Sequence, residues 1–357
     1  MKRRILGSTD LKVSELCLGT MNFGWKIDEP TSYAILNDYR ANGGNFIQGL
    51  CVFPSTDSST LSDCASLSLV GRWWRGAELR RKDLVLSARL TWPRSEASTS
   101  KTPELVRRRT EEALRQLRTD YLDLLVCDWN ESFLSNPEFR CQLDELVRTG
   151  KVRYHVVAHP RGWQLTELAH INYDNNHGRI EAVQTDYSLM ARVGVETELM
   201  DFCARKRMGL LVSSPLAGGL LTRSAFSPSP GVHYRFNRLA TKFGESTRAV
   251  SAELAAIARE KGATFGQVGL AWVLHNPVVT SVIIGGTSIQ HFAEMSGSTC
   301  VRLSPEDLAR LGFASQTQRV FLPGIRQTAT VAAERSDAAA KKTCRTSSEA
   351  VCESAIA

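Results

Sequence analysis

The sequence predicts an α/β fold: a single eight-stranded (β/α)8 barrel, closed at one end by an N-terminal hairpin and followed by a disordered tail. Three observations point to it. Eight short apolar runs recur along the chain, and the segments between them carry helical periodicity, the pattern of repeated βα units around a parallel sheet. The length, 357 residues, suits one barrel of this kind with residues to spare.

Taken in order, residues 3–13 read as the hairpin, turning at Gly7-Ser8-Thr9-Asp10. The strands fall near 16–18, 45–47, 84–87, 122–127, 154–158, 182–185, 209–212 and 282–284. Among the helices, 102–117 opens on Thr102-Pro103-Glu104, a helix start, and 250–261 stops at Gly262, a helix end. Trp73 and Trp74 sit in a helix-like Gly-Arg-Trp-Trp-Arg segment and read as packing residues. From about Gln327 the chain turns to Ala, Ser, Thr, Lys and Glu without a sustained apolar stripe. The expected division is therefore a barrel over 1–325 and a disordered tail over 326–357.

Composition narrows the function classes. With 43% hydrophobic and 23% charged residues the chain can build a large core. It has no apolar stretch of about 18 residues, and its basic start lacks the apolar run of a signal peptide. A cytoplasmic protein without a membrane partner is expected. Nine cysteines show neither a CxxC pair nor a zinc-finger spacing, so reduced thiols are the expectation. His155 and His159 are four apart, but on a strand and its following loop rather than a helix, which argues against a metal. Cys127 precedes Asp128 on one strand and so points to the helix layer, as a structural thiol. The net charge of +7 is spread over helix-like runs such as Arg107-Arg108-Arg109, with Glu111 and Glu112 beside them. That pattern describes a solvated helix face, and no nucleic-acid partner is expected. The oligomeric state is open.

In such a barrel ligands meet the C-terminal ends of the strands. Those ends carry Leu18-Gly19-Thr20-Met21-Asn22-Phe23-Gly24, Gly43-Gly44-Asn45-Phe46-Ile47, Leu117-Arg118-Thr119-Asp120-Tyr121-Leu122-Asp123-Leu124, Gly150-Lys151-Val152-Arg153-Tyr154, Gln184-Thr185-Asp186-Tyr187-Ser188-Leu189 and Ser214-Pro215-Leu216-Ala217-Gly218-Gly219-Leu220-Leu221. Together, from about residue 3 to 315, these segments resemble the aldo-keto reductases. The resemblance implies a TIM-type barrel that binds NADPH and descends from carbonyl reductases. Their chemistry uses four side chains: a Tyr that donates the proton, a Lys that lowers its pKa, an Asp that holds the Lys, and a His that orients the carbonyl oxygen.

At the positions that match this tetrad the chain departs from the family. Gln48 stands for the Asp, Phe53 for the Tyr, Arg89 for the Lys and Asp128 for the His. Phe53 has no ionisable group and Arg89 keeps its protons, so the usual proton transfer has no donor. Arg89 and Asp128 preserve one positive and one negative charge, and are expected to pair across the pocket floor. Such a pair either fills the old cavity or holds a ligand. Asp128 is the one carboxylate at a tetrad position and a candidate acid or base.

The resemblance also implies a cofactor groove through Gly19 and Thr20, Ala158 and His159, Gln184, Ser213, Ser214, Leu216 and Gly219, and Thr287, His291 and Glu294. Ser214-Pro215-Leu216 and the glycines after it match the loop that wraps the pyrophosphate, while Gln184 and Glu294 also match. Ala158-His159 replaces the Ser-Asn pair that fixes the nicotinamide amide, and Ser213 replaces the stacking aromatic. At the adenosine end His291 and Met295 replace an Arg or Gln and an Asn. Weak or lost NADPH binding is expected. Three functions follow: a small-molecule-binding barrel that has lost carbonyl reduction, an enzyme using Asp128 with Arg89 for non-redox acid–base chemistry, or an oxidoreductase with a rebuilt site.

Overall fold

The computed structural model describes residues 1–52, 65–91, 102–222 and 234–316. Phe53 and the expected tail lie outside the described residues, as does the boundary drawn at 325.

The chain opens with β1 (Arg3–Ile5) and β2 (Lys12–Ser14), an antiparallel hairpin in which Arg3 faces Ser14 and Ile5 faces Lys12. Its turn needs Gly7. The residue has φ +57°, and a Cβ there would lie 2.7 Å from the Glu181 carbonyl oxygen. Eight parallel strands follow: β3 (Leu16–Gly19), β4 (Phe46–Val52), β5 (Val85–Thr91), β6 (Leu122–Asp128), β7 (Val152–Ala158), β8 (Ile180–Asp186), β9 (Gly209–Ser213) and β10 (Val279–Ile284). They pair in chain order, and β10 returns to β3 to close the barrel.

Two apolar layers hold it. Inside, the hairpin's Leu6, Leu11 and Val13 pack on Cys17, Phe46, Val85, Leu124, Val126 and Leu211, so the expected plug is present. Outside, alternate strand residues meet the helices, and Cys127 belongs to this layer. Its burial, with Asp128 beside it, pushes the thiol pKa well up, as expected of a structural cysteine. Trp73 and Trp74 are packing residues of the helix Ala65–Gly76, with indole nitrogens 2.8 Å from Asn37 Oδ1 and the Leu117 carbonyl oxygen respectively.

Several expected boundaries move. The helix Thr102–Leu117 has the expected limits, but the one read over 250–261 runs from Tyr234 to Lys261. Its first half carries Phe236, Leu239, Ala240 and Phe243 at helical spacing, a periodicity that extends the helix toward its start. Strands β4 and β5 run past the apolar segments because their ladder continues to Val52 opposite Thr91. Gln48 and Arg89 therefore lie on strands rather than after them. Among the described residues, no helix is long and apolar enough to cross a membrane.

Candidate functional site

Alternation along each strand decides which side chains reach the barrel mouth. On β6, Leu124 and Val126 belong to the interior cluster, so Asp128, two further on, tops the same column. By the same count Arg89 lies in the inward column near the end of β5, and Asp186 ends β8. Below them Gln48 and Gln184 span the barrel, with Gln48 Nε2 donating to Gln184 Oε1 at 2.9 Å.

Arg89 and Asp128 do pair. Arg89 Nε donates to Asp128 Oδ1 at 2.8 Å, and Nη2 lies 2.8 Å from the same oxygen. The guanidinium also reaches the loop after β7, where Nη2 stands 2.9 Å from His159 Nε2. Guanidinium has only donors, so this nitrogen accepts, and the neutral imidazole carries its hydrogen on Nδ1. His159 adopts φ +57°, a left-handed turn at the strand end. Crowding by protein atoms takes the imidazole pKa below its ordinary 6.5; Asp186 opposes the shift, Arg89 adds to it and Asp128 opposes it.

Asp186 completes the arc. Its Oδ1 accepts from Ser213 Oγ at 2.7 Å, and the Ser214 side chain also bonds it. Burial alone would raise this carboxyl; the nearby His159, the two serine hydroxyls and Arg89 outweigh it and hold the pKa below the usual carboxylate value. The mouth thus carries Asp128, Arg89, His159, Asp186 and Ser213 from five successive strands or their ends. Sequence reasoning had put His159 in the cofactor groove and left Asp186 without a role. Asp186 stands two residues after Gln184, the spacing that would have placed it on the inner face.

His155 is not part of this site. It faces the helix layer, with Nε2 2.8 Å from the Leu143 carbonyl oxygen, while His159 turns to Arg89. The two do not converge on one point.

The remaining groove positions fall into two groups. After β9, Ala217, Gly218 and Gly219 have consecutive positive φ values of 50°, 67° and 96°, a left-handed turn in which the Ala217 N–H donates to the Ser214 carbonyl oxygen at 2.9 Å and the Gly219 N–H to the Leu216 carbonyl oxygen at 3.0 Å. A Cβ on Gly219 would meet nothing within 4 Å, so the backbone is approachable there. Leu216 anchors the loop against Gly266 and Gly269. Beyond β10 the helix Ile289–Gly297 starts at Ser288, whose hydroxyl caps the His291 N–H, and Thr287 N lies 3.4 Å from His291 Nδ1. The first turn of this helix is the part of the groove that suits a phosphate.

The nicotinamide end fits less well. Gln184 Nε2 is buried without a hydrogen-bond partner, a donor that suits an amide oxygen. Yet Gln184 Oε1 is occupied by Gln48, Ala158 has no polar side chain, His159 is held by Arg89 and the Ser213 hydroxyl by Asp186. Thr20 is buried with its hydroxyl 3.2 Å from the Gln48 carbonyl oxygen, Gly19 lies tight against Ile284, and Glu294 Oε1 accepts from Thr264 at 2.5 Å.

Known proteins share this framework. The aldo/keto reductase family model matches residues 15–314. The Bacillus subtilis protein named uncharacterized oxidoreductase YrpG is 29% identical over 317 residues, covering 87% of this chain and 95% of its own. A norsolorinic acid reductase of Aspergillus flavus is 28% identical, over 86% of this chain and 79% of its own. The aldo-keto reductase AMT2 of Alternaria alternata is 26% identical, over 86% and 90%.

Proposed function

Because the chain belongs to the aldo/keto reductase family, we propose that it is a barrel of carbonyl-reductase descent that has given up ordinary NADPH-dependent reduction and binds a small molecule at its mouth. One observation carries this reading: Arg89, in the place of the family's lysine, is locked between Asp128 and His159 at 2.8 and 2.9 Å. A guanidinium does not release a proton in the neutral range, and Phe53 has none to give. A bound NADPH would supply hydride, with a phosphate on residues 287–291. The nicotinamide end offers it few partners. Missing several bonds worth about 1 kcal/mol each weakens binding on the order of a hundredfold.

Titrating the full chain with NADPH by fluorescence or calorimetry, then adding a panel of aldehydes, tests the reading. Binding weaker than micromolar with no NADPH oxidation is expected. Micromolar or tighter affinity with aldehyde-dependent oxidation overturns it and favours the oxidoreductase that the names of the relatives suggest. A second reading, non-redox acid–base chemistry, is favoured by the carboxylates gathered around a neutral imidazole, and leads to the next inference.

A further inference from the structure

We propose that the mouth catalyses proton transfer beside a carbonyl group, interconverting α-hydroxy aldehydes and ketones, with Asp186 as the base and neutral His159 as the hydrogen-bond donor to the carbonyl oxygen. This rests on the reading that hydride chemistry has been given up.

The geometry supplies both roles. Arg89 occupies His159 Nε2, so the donor Nδ1–H is the other edge of the ring: it makes no hydrogen bond among the described residues, and the residue is exposed. A guanidinium bonded to one imidazole nitrogen withdraws electron density and makes the opposite N–H a stronger donor. A neutral imidazole of this kind can polarise a carbonyl. Arg89 is a positioning residue here, because it sets the tautomer without touching the substrate.

Asp186 suits the base better than Asp128. Asp128 is neutralised by two guanidinium nitrogens at 2.8 Å, whereas Asp186 is oriented by serine hydroxyls and keeps its full charge. Asp186 and His159 influence one another electrostatically with no direct hydrogen bond between them among the described residues. The two groups stand at the ends of neighbouring strands, β7 and β8, on the same rim of the barrel. The charge count agrees. Among the described residues Arg89 offsets Asp128, so Asp186 stands as net negative charge, which favours a neutral substrate over a carboxylate.

The step balances without a cofactor. Asp186 takes the proton from the hydroxyl-bearing carbon, the C–H electron pair forms the carbon–carbon double bond, and the carbonyl π pair moves to the oxygen facing Nδ1–H. That oxygen takes the Nδ1 proton to give the enediol, and the hydroxyl on the other carbon returns a proton to Nδ1 as its oxygen becomes the new carbonyl. Protonated Asp186 gives its proton to the neighbouring carbon, so both residues end as they began. Nothing is oxidised or reduced overall.

The test is deuterium uptake from D2O into dihydroxyacetone, glyceraldehyde and erythrulose, followed by proton NMR with purified full chain and no nicotinamide cofactor. Carbon-bound exchange and interconversion above the buffer rate are expected. Asp186→Asn and His159→Phe should each lower the rate about a hundredfold or more, while Asp10→Asn at the plugged end leaves it unchanged. The rate should fall as pH drops through the His159 pKa, which crowding by protein atoms lowers, with Asp186 on β8 opposing, Arg89 on β5 adding to the shift and Asp128 on β6 opposing it. Replacing Arg89 by Met should move that limb to higher pH. Background exchange with all three probes overturns the proposal, as does an active Asp186→Asn variant shown to be folded by circular dichroism. NADPH oxidation is read separately, so its presence defeats the preceding reading, whereas absent exchange without it defeats only this one.

Discussion

Strand β6 carries an aspartate near each end, and the two have opposite surroundings. Asp123, at the plugged end, is 2% exposed; it accepts from Arg81 Nη2 at 2.7 Å, from Arg153 Nη1 at 3.1 Å and from the Leu86 N–H at 2.9 Å. Asp128, at the open end, is 25% exposed beside Arg89. A carboxylate enclosed by several donors within the protein acts as a strut: its charge is compensated only while every partner stays in place. One at the mouth can exchange a partner for water or a ligand at small cost. One strand therefore separates a buried strut at its start from an accessible carboxylate at its end.

Removing the strut should have the largest effect. Asp123→Asn leaves two arginines without their shared charge and is expected to cost about 3–5 kcal/mol, read as a lowered urea midpoint with the slope unchanged. Asp128→Asn should cost only about 1 kcal/mol in the same measurement, because water replaces the lost partner. Equal losses at both sites would break the distinction. A stability loss near zero for Asp128→Asn would sharpen it, since a mouth pair worth nothing to folding has been kept for another use.

How far the sequence disclosed this contrast differs between fold and site. The strands were legible because a parallel sheet covered on both faces must be apolar throughout, and their starts fall close to the apolar runs. Their ends were not, because the ladder continues through Gln48, Arg89 and Asp128, where the side chains turn polar but the backbone stays paired. Pairing of Arg89 with Asp128 was legible from charge balance alone. Its extension to His159 was not: it depends on the left-handed turn at residue 159, and a backbone angle leaves no mark in the composition. Asp186 left a signal in the two-residue spacing from Gln184, which puts both side chains on one face of β8.

Strand β7 and its following loop repeat the comparison in histidines, with a smaller effect. His155 is buried against the helix layer, and its burial lowers its pKa, with the Leu143 carbonyl oxygen and Asp144 opposing the shift; His159 at the mouth is lowered as well. A histidine whose folded pKa lies below its ordinary 6.5 binds fewer protons folded than unfolded in the interval between the two values. Stability is then fully present above pH 6.5 and is lost as pH falls toward the folded pKa. Urea unfolding at pH 7.5 and 5.5 should show lower stability at 5.5. His155→Gln should flatten that slope more than His159→Gln, because only the buried ring must be dehydrated without access to the mouth. An undiminished slope in His155→Gln, with a flat one in His159→Gln, would mean that the mouth and not the helix layer carries the acid sensitivity of the fold.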